Sequence, residues 1–254
     1  MQIFDRKFRK AKLTQSGERL LHAAGDLLEA SRKLDSLMSD TSRIHGVLRL
    51  GASELVGLTW LPKLVERVHA VQPSVVIHLD IEAGGQVLEK LKKGLIDLAL
   101  VPGPMWGREF DSVSLASVEF AWMASPLLKA PRRIMTPEEM SAFPMLVHSP
   151  QGVATQLYNL WQQQSGFTIH KTLTANTLSV MAQLTIGGLG VSCLPTGYFR
   201  SQLLEGKLVK LRTSPALPRL DFFAVFRREV NHPLVKYVVD ISKTVCDFRN
   251  PSNY

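Results

Sequence analysis

Between residues 14 and 43 apolar side chains recur at alternating spacings of four and three: Leu20, Ala24, Leu27, Ser31, Leu34 and Met38 mark one line, and Leu21, Leu28 and Leu37 widen it. The stretch has no proline and only Gly17 and Gly25, so it predicts one helix of about 30 residues and about 45 Å, with Thr14 as its N-cap. The four-three alternation is that of a coiled-coil seam, which makes Leu20, Ala24, Leu27, Leu34 and Met38 the expected dimerisation positions. A long helix packed on its own domain is the alternative, because so few heptads barely carry the signal.

After His45-Gly46 the period changes to short apolar runs alternating with amphipathic stretches, the pattern of βαβ units around a mainly parallel sheet. Strands are expected at 47–52, 75–81 and 95–101, with helices at 58–71, closed by Pro73, and from about 86 to 93. Residues 113–125 read as one long extended segment and 126–137, rich in Pro and Arg, as a connection. A second series follows, with strands at 145–148, 168–174 and 190–194, helices at 153–164 and 177–186, and an edge strand at 208–211. A last strand at 220–226 and a helix at 232–248 are expected to return to the first half, giving an α/β molecule of two lobes joined by two crossing strands.

Composition narrows the function classes. The chain has 254 residues and 45% hydrophobic positions, enough for one large core or two modest ones, and this excludes a disordered tail or a mini-protein. Lys and Arg number 30 against 22 acids, a formal charge of +8 that suits a polyanionic partner. Arg6, Lys7, Arg9, Lys10 and Lys12 crowd the first residues with Phe4 and Phe8 interleaved, so DNA phosphate contact is the sharper reading and a solvated basic tail the plainer one. The two cysteines, Cys193 and Cys246, form no disulfide framework and no zinc spacing, and a reducing, cytoplasmic compartment fits best. The N-terminus lacks a signal-peptide pattern and no segment is long and apolar enough for a membrane span, so no membrane partner is expected.

Catalytic signatures are missing. Gly-Ala-Ser53-Glu-Leu lacks the second glycine of a nucleophile elbow, Gly187-Gly-Leu-Gly190 lacks the third glycine of a dinucleotide fingerprint, and the seven histidines are scattered. No metal and no cofactor are expected. His148, with no acid partner nearby in sequence, reads as a surface or supporting imidazole, and Cys193 as a small buried hydrophobe. What recurs is a strand end followed by small or polar residues and a helix start: Ser53-Glu54, Gly84-Gly85-Gln86, Ser149-Pro150-Gln151-Gly152 and Asn176-Thr177. Open α/β sheets bind ligands outside the carboxyl ends of their strands, where helix N-termini attract anions, although ordinary helix caps use the same residue types.

The segment Phe4-Asp-Arg-Lys-Phe-Arg-Lys-Ala-Lys-Leu-Thr-Gln-Ser-Gly-Glu-Arg-Leu-Leu21 closely resembles the junction of DNA-binding wing and linker helix in LysR-type transcriptional regulators. Gly46-Val-Leu-Arg-Leu-Gly51, Leu61-Pro62 with Pro73, Gly94-Leu-Ile-Asp-Leu-Ala99 and Gly187-Gly-Leu-Gly-Val-Ser-Cys-Leu-Pro195 extend the resemblance over essentially the whole chain. It implies a linker helix that dimerises and two Rossmann-like subdomains resembling a type 2 periplasmic binding protein, with a small effector in the cleft between them. The corresponding division is a wing remnant at 1–13, a linker helix at 14–44, subdomain I at 45–120 and 222–250, and subdomain II at 121–221.

The implied partners are a second copy in a homodimer or homotetramer, a small organic anion, DNA in the full-length protein, and RNA polymerase. The helix-turn-helix that precedes the wing in the family is not in this sequence, so the chain alone is expected to keep dimerisation and effector binding and to lose base-specific readout. Position by position, Ser53 matches the polar residue after the first strand, Gly84 and Gly85 stand where Ser or Thr is frequent, and Ser149, Gln151 and Thr155 match the facing loop. Pro102 and Met105 follow the third strand and are expected in the wall. Two other functions suit such a fold, a solute-binding protein and a decarboxylating or dehydratase-like enzyme. The first is opposed by the basic, heptad-like arm and the second by the absence of a nucleophile, metal cluster or cofactor loop.

Overall fold

The computed structural model describes residues 3–5, 12–38, 46–103, 107–150, 152, 154–166, 168, 171–228 and 232–250. Strands β1 (Phe4–Asp5) and β2 (Lys12–Leu13) pair antiparallel and lead into α1 (Gln15–Met38). Thr14 caps this helix as expected, its Oγ1 accepting the Gly17 N–H at 3.0 Å. Leu20, Ala24 and Leu27 are all exposed on α1, and Leu27 is 73% exposed. The helix backbone runs on through Leu34 to Met38, but those side chains and residues 39–45 lie outside the described residues.

The first lobe contains β3 (Gly46–Ser53), α2 (Glu54–Leu58), α3 (Leu61–Val71), β4 (Val75–Glu82), α4 (Gly84–Lys92), β5 (Leu98–Gly103) and β6 (Phe110–Val118). The helix expected over 58–71 is α3, which starts only at Leu61, and α2 is a further short helix ahead of it, so that the stretch from 54 to 71 is divided in two. Thr59 ends the first by donating its hydroxyl to the Leu55 carbonyl at 2.6 Å, and Pro62, which has no N–H to satisfy, sits in the first turn of the second. The extended segment expected at 113–125 is likewise divided, because at Glu119 the chain leaves one sheet and enters another as β7 (Phe120–Ala124).

The second lobe continues with β8 (Ile134–Met135), α5 (Pro137–Met140), β9 (Met145–His148), α6 (Thr155–Ser165), β10 (Lys171–Ala175), α7 (Leu178–Ile186), β11 (Ser192–Pro195), α8 (Arg200–Leu204) and β12 (Val209–Thr213). The segment expected as an edge strand at 208–211 is an interior one: β12 lies between β7 and β8 in the order β11-β7-β12-β8. Its outer neighbour β8 comes from the stretch expected to be a mere connection, and Met135 is fully buried there. β9 and β10 pair in parallel, and a bridge from Met145 to Val191 joins them to the start of β11.

The chain returns as β13 (Leu220–Arg227) and α9 (Pro233–Val245). β13 completes a five-stranded sheet in the order β4-β3-β5-β13-β6, parallel from β4 to β5 and antiparallel around β13. Helices α3 and α9 cover one face of this sheet, and α4 covers the other, its Val87 and Leu91 packing in one cluster with Ile96 and with Ala99 and Val101 of β5. Gly51 allows that second contact, since a Cβ there would stand 2.6 Å from Val87 Cγ1. In the second lobe Trp122 stacks on Tyr158 at 5.6 Å and meets Trp161 edge-on at 5.5 Å, while in the first lobe Phe248 packs against Trp60 and Phe222.

Candidate functional site

Four parallel strands end on one cleft. Ser53 closes β3 beside Glu82, its register partner at the end of β4, and across the gap His148 closes β9 beside Ala175 of β10. The cleft holds about 570 Å³ and is lined by Ser53, Glu54, Ile81, Glu82, Ala83, Gly84, Gln86, His148, Ser149, Gly152, Asn176 and Thr177. All four strand-end motifs marked in the sequence therefore meet in a single place.

Ser53 is 1% exposed, caps nothing with its hydroxyl, and its Oγ has no hydrogen-bond partner. His148 is 2% exposed with both ring nitrogens equally unpartnered. It is therefore no surface imidazole; it sits at the inner wall of the cleft. Gly152 makes the room, because a Cβ there would collide with the imidazole and stand 2.7 Å from Nδ1. Burial depresses the His148 pKa to about 4, opposed by the nearby Glu54 charge, so the ring is neutral at pH 7 and offers one N–H and one acceptor. Buried polar atoms left unpaired carry a real free-energy cost, and three of them facing a common cavity are the signature of a ligand position.

Glu54 reaches across the cleft. Its carboxylate accepts hydrogen bonds from the N–H groups of Leu178 and Ser179 at 2.6 and 3.2 Å and from the Ser179 hydroxyl at 2.8 Å. The N-terminus of α7 thus already holds an anion, supplied by the chain itself from the opposite lobe. The N-terminus of α4 is differently placed: Ala83 has no side-chain group to cap it, and the first helical residues, Gly84 and Gly85, present backbone N–H groups at its opening turn. A Cβ at Gly84 would approach Pro102 Cδ at 3.2 Å, so Pro102 supports this turn from below. Glu82 shares Lys90 with Asp80, at 2.9 and 2.5 Å, and these bonds hold the ammonium pKa above its ordinary value.

Among the expected site residues, Ser53, Glu54, Gly84, Gln86 and Ser149 face the cleft together. Gly85 and Pro102 stand behind that lining, and Thr155 holds the loop by donating its hydroxyl to the Ser149 carbonyl at 2.7 Å. Gln151, Met105 and the basic residues Arg6, Lys7, Arg9 and Lys10 lie outside the described residues, and Lys12 is placed only by its backbone in β2. Among the described residues no group of three His, Cys, Asp or Glu side chains is arranged to hold a metal ion. Cys193 is fully buried, and burial raises its thiol pKa well above the ordinary value; burial also raises Cys246 to about 12.

Comparison with known proteins agrees with this arrangement. The family model of the LysR substrate binding domain matches residues 41–247. The HTH-type transcriptional regulator YeiE of Escherichia coli (strain K12) is 22% identical over the whole of this chain and 83% of its own length. The HTH-type transcriptional regulator CzcR of Bacillus subtilis (strain 168) is 19% identical over 98% of this chain and 83% of its own. Among solved structures, an OxyR C206 mutant of Corynebacterium glutamicum superposes with a TM-score of 0.68 at 19% identity, covering 96% of this chain and 79% of that one. The effector binding domain of QuiR in complex with shikimate gives 0.68 at 15% identity, covering 79% of this chain and 97% of that one. The two lobes have the fold shared by these effector-binding domains, that of a type 2 periplasmic binding protein. With its strand ends gathered on one ligand-sized cleft and the family model spanning both lobes, the chain belongs to the LysR family of transcriptional regulators and carries its substrate-binding domain.

Proposed function

We propose that this chain is the effector-responsive part of a transcription regulator that binds a small organic anion between its lobes and works through binding, not turnover. The observation that carries the reading is the set of buried, unpartnered atoms, Ser53 Oγ and both His148 nitrogens, facing the cleft. Subdomain I is assigned to 45–120 and 222–250 and subdomain II to 121–221, so Ser53 and the 149–151 loop belong to different bodies. An effector touching both has differential affinity for their relative orientations and shifts that equilibrium. The exposed Leu20, Ala24 and Leu27 of α1 support association into a homodimer or homotetramer, and the basic arm supports phosphate contact with DNA. The regulators among the relatives favour this reading over a solute-binding protein, which the same fold suits.

Calorimetric titration of an effector found by screening tests the site. The Ser53→Ala variant is expected to lose about 1–3 kcal/mol of binding, the worth of a charge-assisted hydrogen bond, with the fold intact by circular dichroism. Gln151→Ala probes the facing loop. Unchanged affinity in both variants moves the site elsewhere.

A further inference from the structure

Helix α7 is capped from the opposite lobe. Its N-cap Thr177 accepts the Val180 N–H, but the Leu178 and Ser179 N–H groups bond the Glu54 carboxylate, 124 and 125 residues away in the chain. The Ser179 hydroxyl adds a third bond at 2.8 Å. A capping box puts Glu or Gln at the third helical position, and α5 has one in Thr136 and Glu139. α7 has Val180 there, 51% exposed, and no acid in its first turn. A task that the helix could perform with its own side chain is thus given to one that ties it to the end of β3. Glu54 stands on a firm base for this, because its neighbours Ser53 and Leu55 are both buried.

At the two chain crossings, between β6 and β7 and between β12 and β13, the lobes are held together directly. There Thr196 donates its N–H and its hydroxyl to the Glu119 carbonyl at 2.9 and 3.2 Å, and Arg219 donates to Ser117. The Glu54 contact stands away from this hinge. In the order β4-β3-β5-β13-β6, β3 is two strands from β13, which at the usual strand spacing puts its end about 10 Å from the crossings. An opening rotation of about 10° about them moves the end of β3 by about 2 Å relative to α7, which carries the 2.6 and 2.8 Å bonds out of hydrogen-bonding range. Opening of the lobes and the Glu54 contact therefore exclude each other.

We propose that Glu54 is a clamp on the angle between the lobes: its carboxylate, seated on the first turn of α7, fixes the two walls of the cleft in one orientation, and its release is the step through which they part. The inference rests on the division into two bodies proposed above and on no ligand. It gives the sequence-marked Glu54 a positioning role in place of a ligand contact, and it puts the set point of a two-orientation equilibrium in one side chain of the chain itself.

Pulsed electron paramagnetic resonance on the full chain tests this, with spin labels at Glu89→Cys on α4 and Gln183→Cys on α7, exposed positions on the helices that flank the cleft. A Cys246→Ser background, Cys193 being buried, and dilution with unlabelled chain confine the reading to distances within one copy. The parent is expected to give one narrow distribution, and Glu54→Ala a shift of about 2 Å or more to longer distances. Glu54→Gln, which keeps one acceptor oxygen at the same reach, and Ser179→Ala, which removes one bond of the three, should fall between, and they decide the matter if Glu54→Ala does not fold. A helix cap without a clamping role would lower stability in urea and leave the distances alone. Unchanged distances in every folded variant therefore overturn the proposal, as does a parent already spread over the longer distances. Labels at Lys63→Cys and Glu89→Cys, both in the first lobe, should keep their separation in all variants; a shift there would mean local loosening and would equally refute the clamp. No effector enters the measurement, so the readings fail separately: the clamp can be lost while Ser53→Ala still weakens effector binding, and loss of the cleft site leaves the expected distances untouched.

Discussion

His148 couples the site to pH. Its folded pKa is near 4 against 6.5 for an ordinary imidazole, so between those values the unfolded chain binds a proton that the folded chain excludes. Stability therefore falls as pH drops through that window, by about 2 kcal/mol at pH 5 relative to pH 7. Urea unfolding of the parent and of His148→Gln at both pH values checks this: the variant should lose that part of the dependence, and identical slopes would show that the imidazole is not held neutral. The thiols behave in the opposite way to a reactive site. With Cys246 raised to about 12 and Cys193 fully buried, alkylation of the native chain should be slow near pH 8 and become fast only on unfolding. At this scale the sequence already marked Ser53 and Ser149, because a polar residue directly after an apolar run is a strand end wherever the strand is placed. His148 carried no such mark. Its meaning depends on Gly152 and on the burial of β9, which no local pattern expresses.

Among the elements, β3 is the one on which the first lobe depends. Its N-terminal half is tied to the start of β5 by Asp97, which accepts from the Arg49 backbone N–H at 2.9 Å and from its guanidinium at 3.0 and 2.6 Å. Asp97 is 8% exposed while the Arg49 side chain is 23% exposed, so part of the pairing is screened. Asp97→Ala is expected to cost about 2 kcal/mol in chemical denaturation, less than a fully buried pair would. The βαβ pattern announced β3, β4, β9 and both flanking helices almost residue for residue, since each buries one side in the regular period that local sequence displays. It failed where the chain changes partners without changing period. Residues on either side of Glu119 are extended alike, and only the hydrogen-bond partners, β13 for one strand and β11 with β12 for the other, divide them.

For the whole molecule, Glu54 is the direct polar link from the β3 end of one lobe to a helix of the other. Glu54→Ala should destabilise the chain by about 1 kcal/mol, the worth of a helix cap, and speed amide exchange at Leu178 and Ser179. Unchanged exchange at those two amides would show that the carboxylate does not rest there in solution. Association belongs to the same scale. Leu20, at 43% exposed, and Leu27, at 73%, lie on one line of α1, an apolar stripe that a single copy leaves in water. Sedimentation should find the full chain associated at micromolar concentration and a chain without 14–43 monomeric; a monomeric parent chain would refute the seam.

Local order was written in the linear pattern: the long helix with Thr14 at its head, the alternation of strands and helices, and the polar residues at strand ends all follow from side-chain period and from backbone groups that need partners at element termini. The same pattern already gave two lobes joined by two crossing strands, and the family resemblance added the likeness to a type 2 periplasmic binding protein with an effector between them. What remained for the tertiary structure was everything set by distance across the fold. β12 is interior because β8 pairs with its far side, His148 is a cleft residue because Gly152 leaves it space, and Glu54 meets α7 although more than a hundred residues separate them in the chain. A carboxylate after a strand looks like a free ligand contact until the helix terminus it satisfies is brought beside it. The physical reason is that hydrogen bonding and burial are satisfied by neighbours in space, and a one-dimensional period reports only neighbours along the chain.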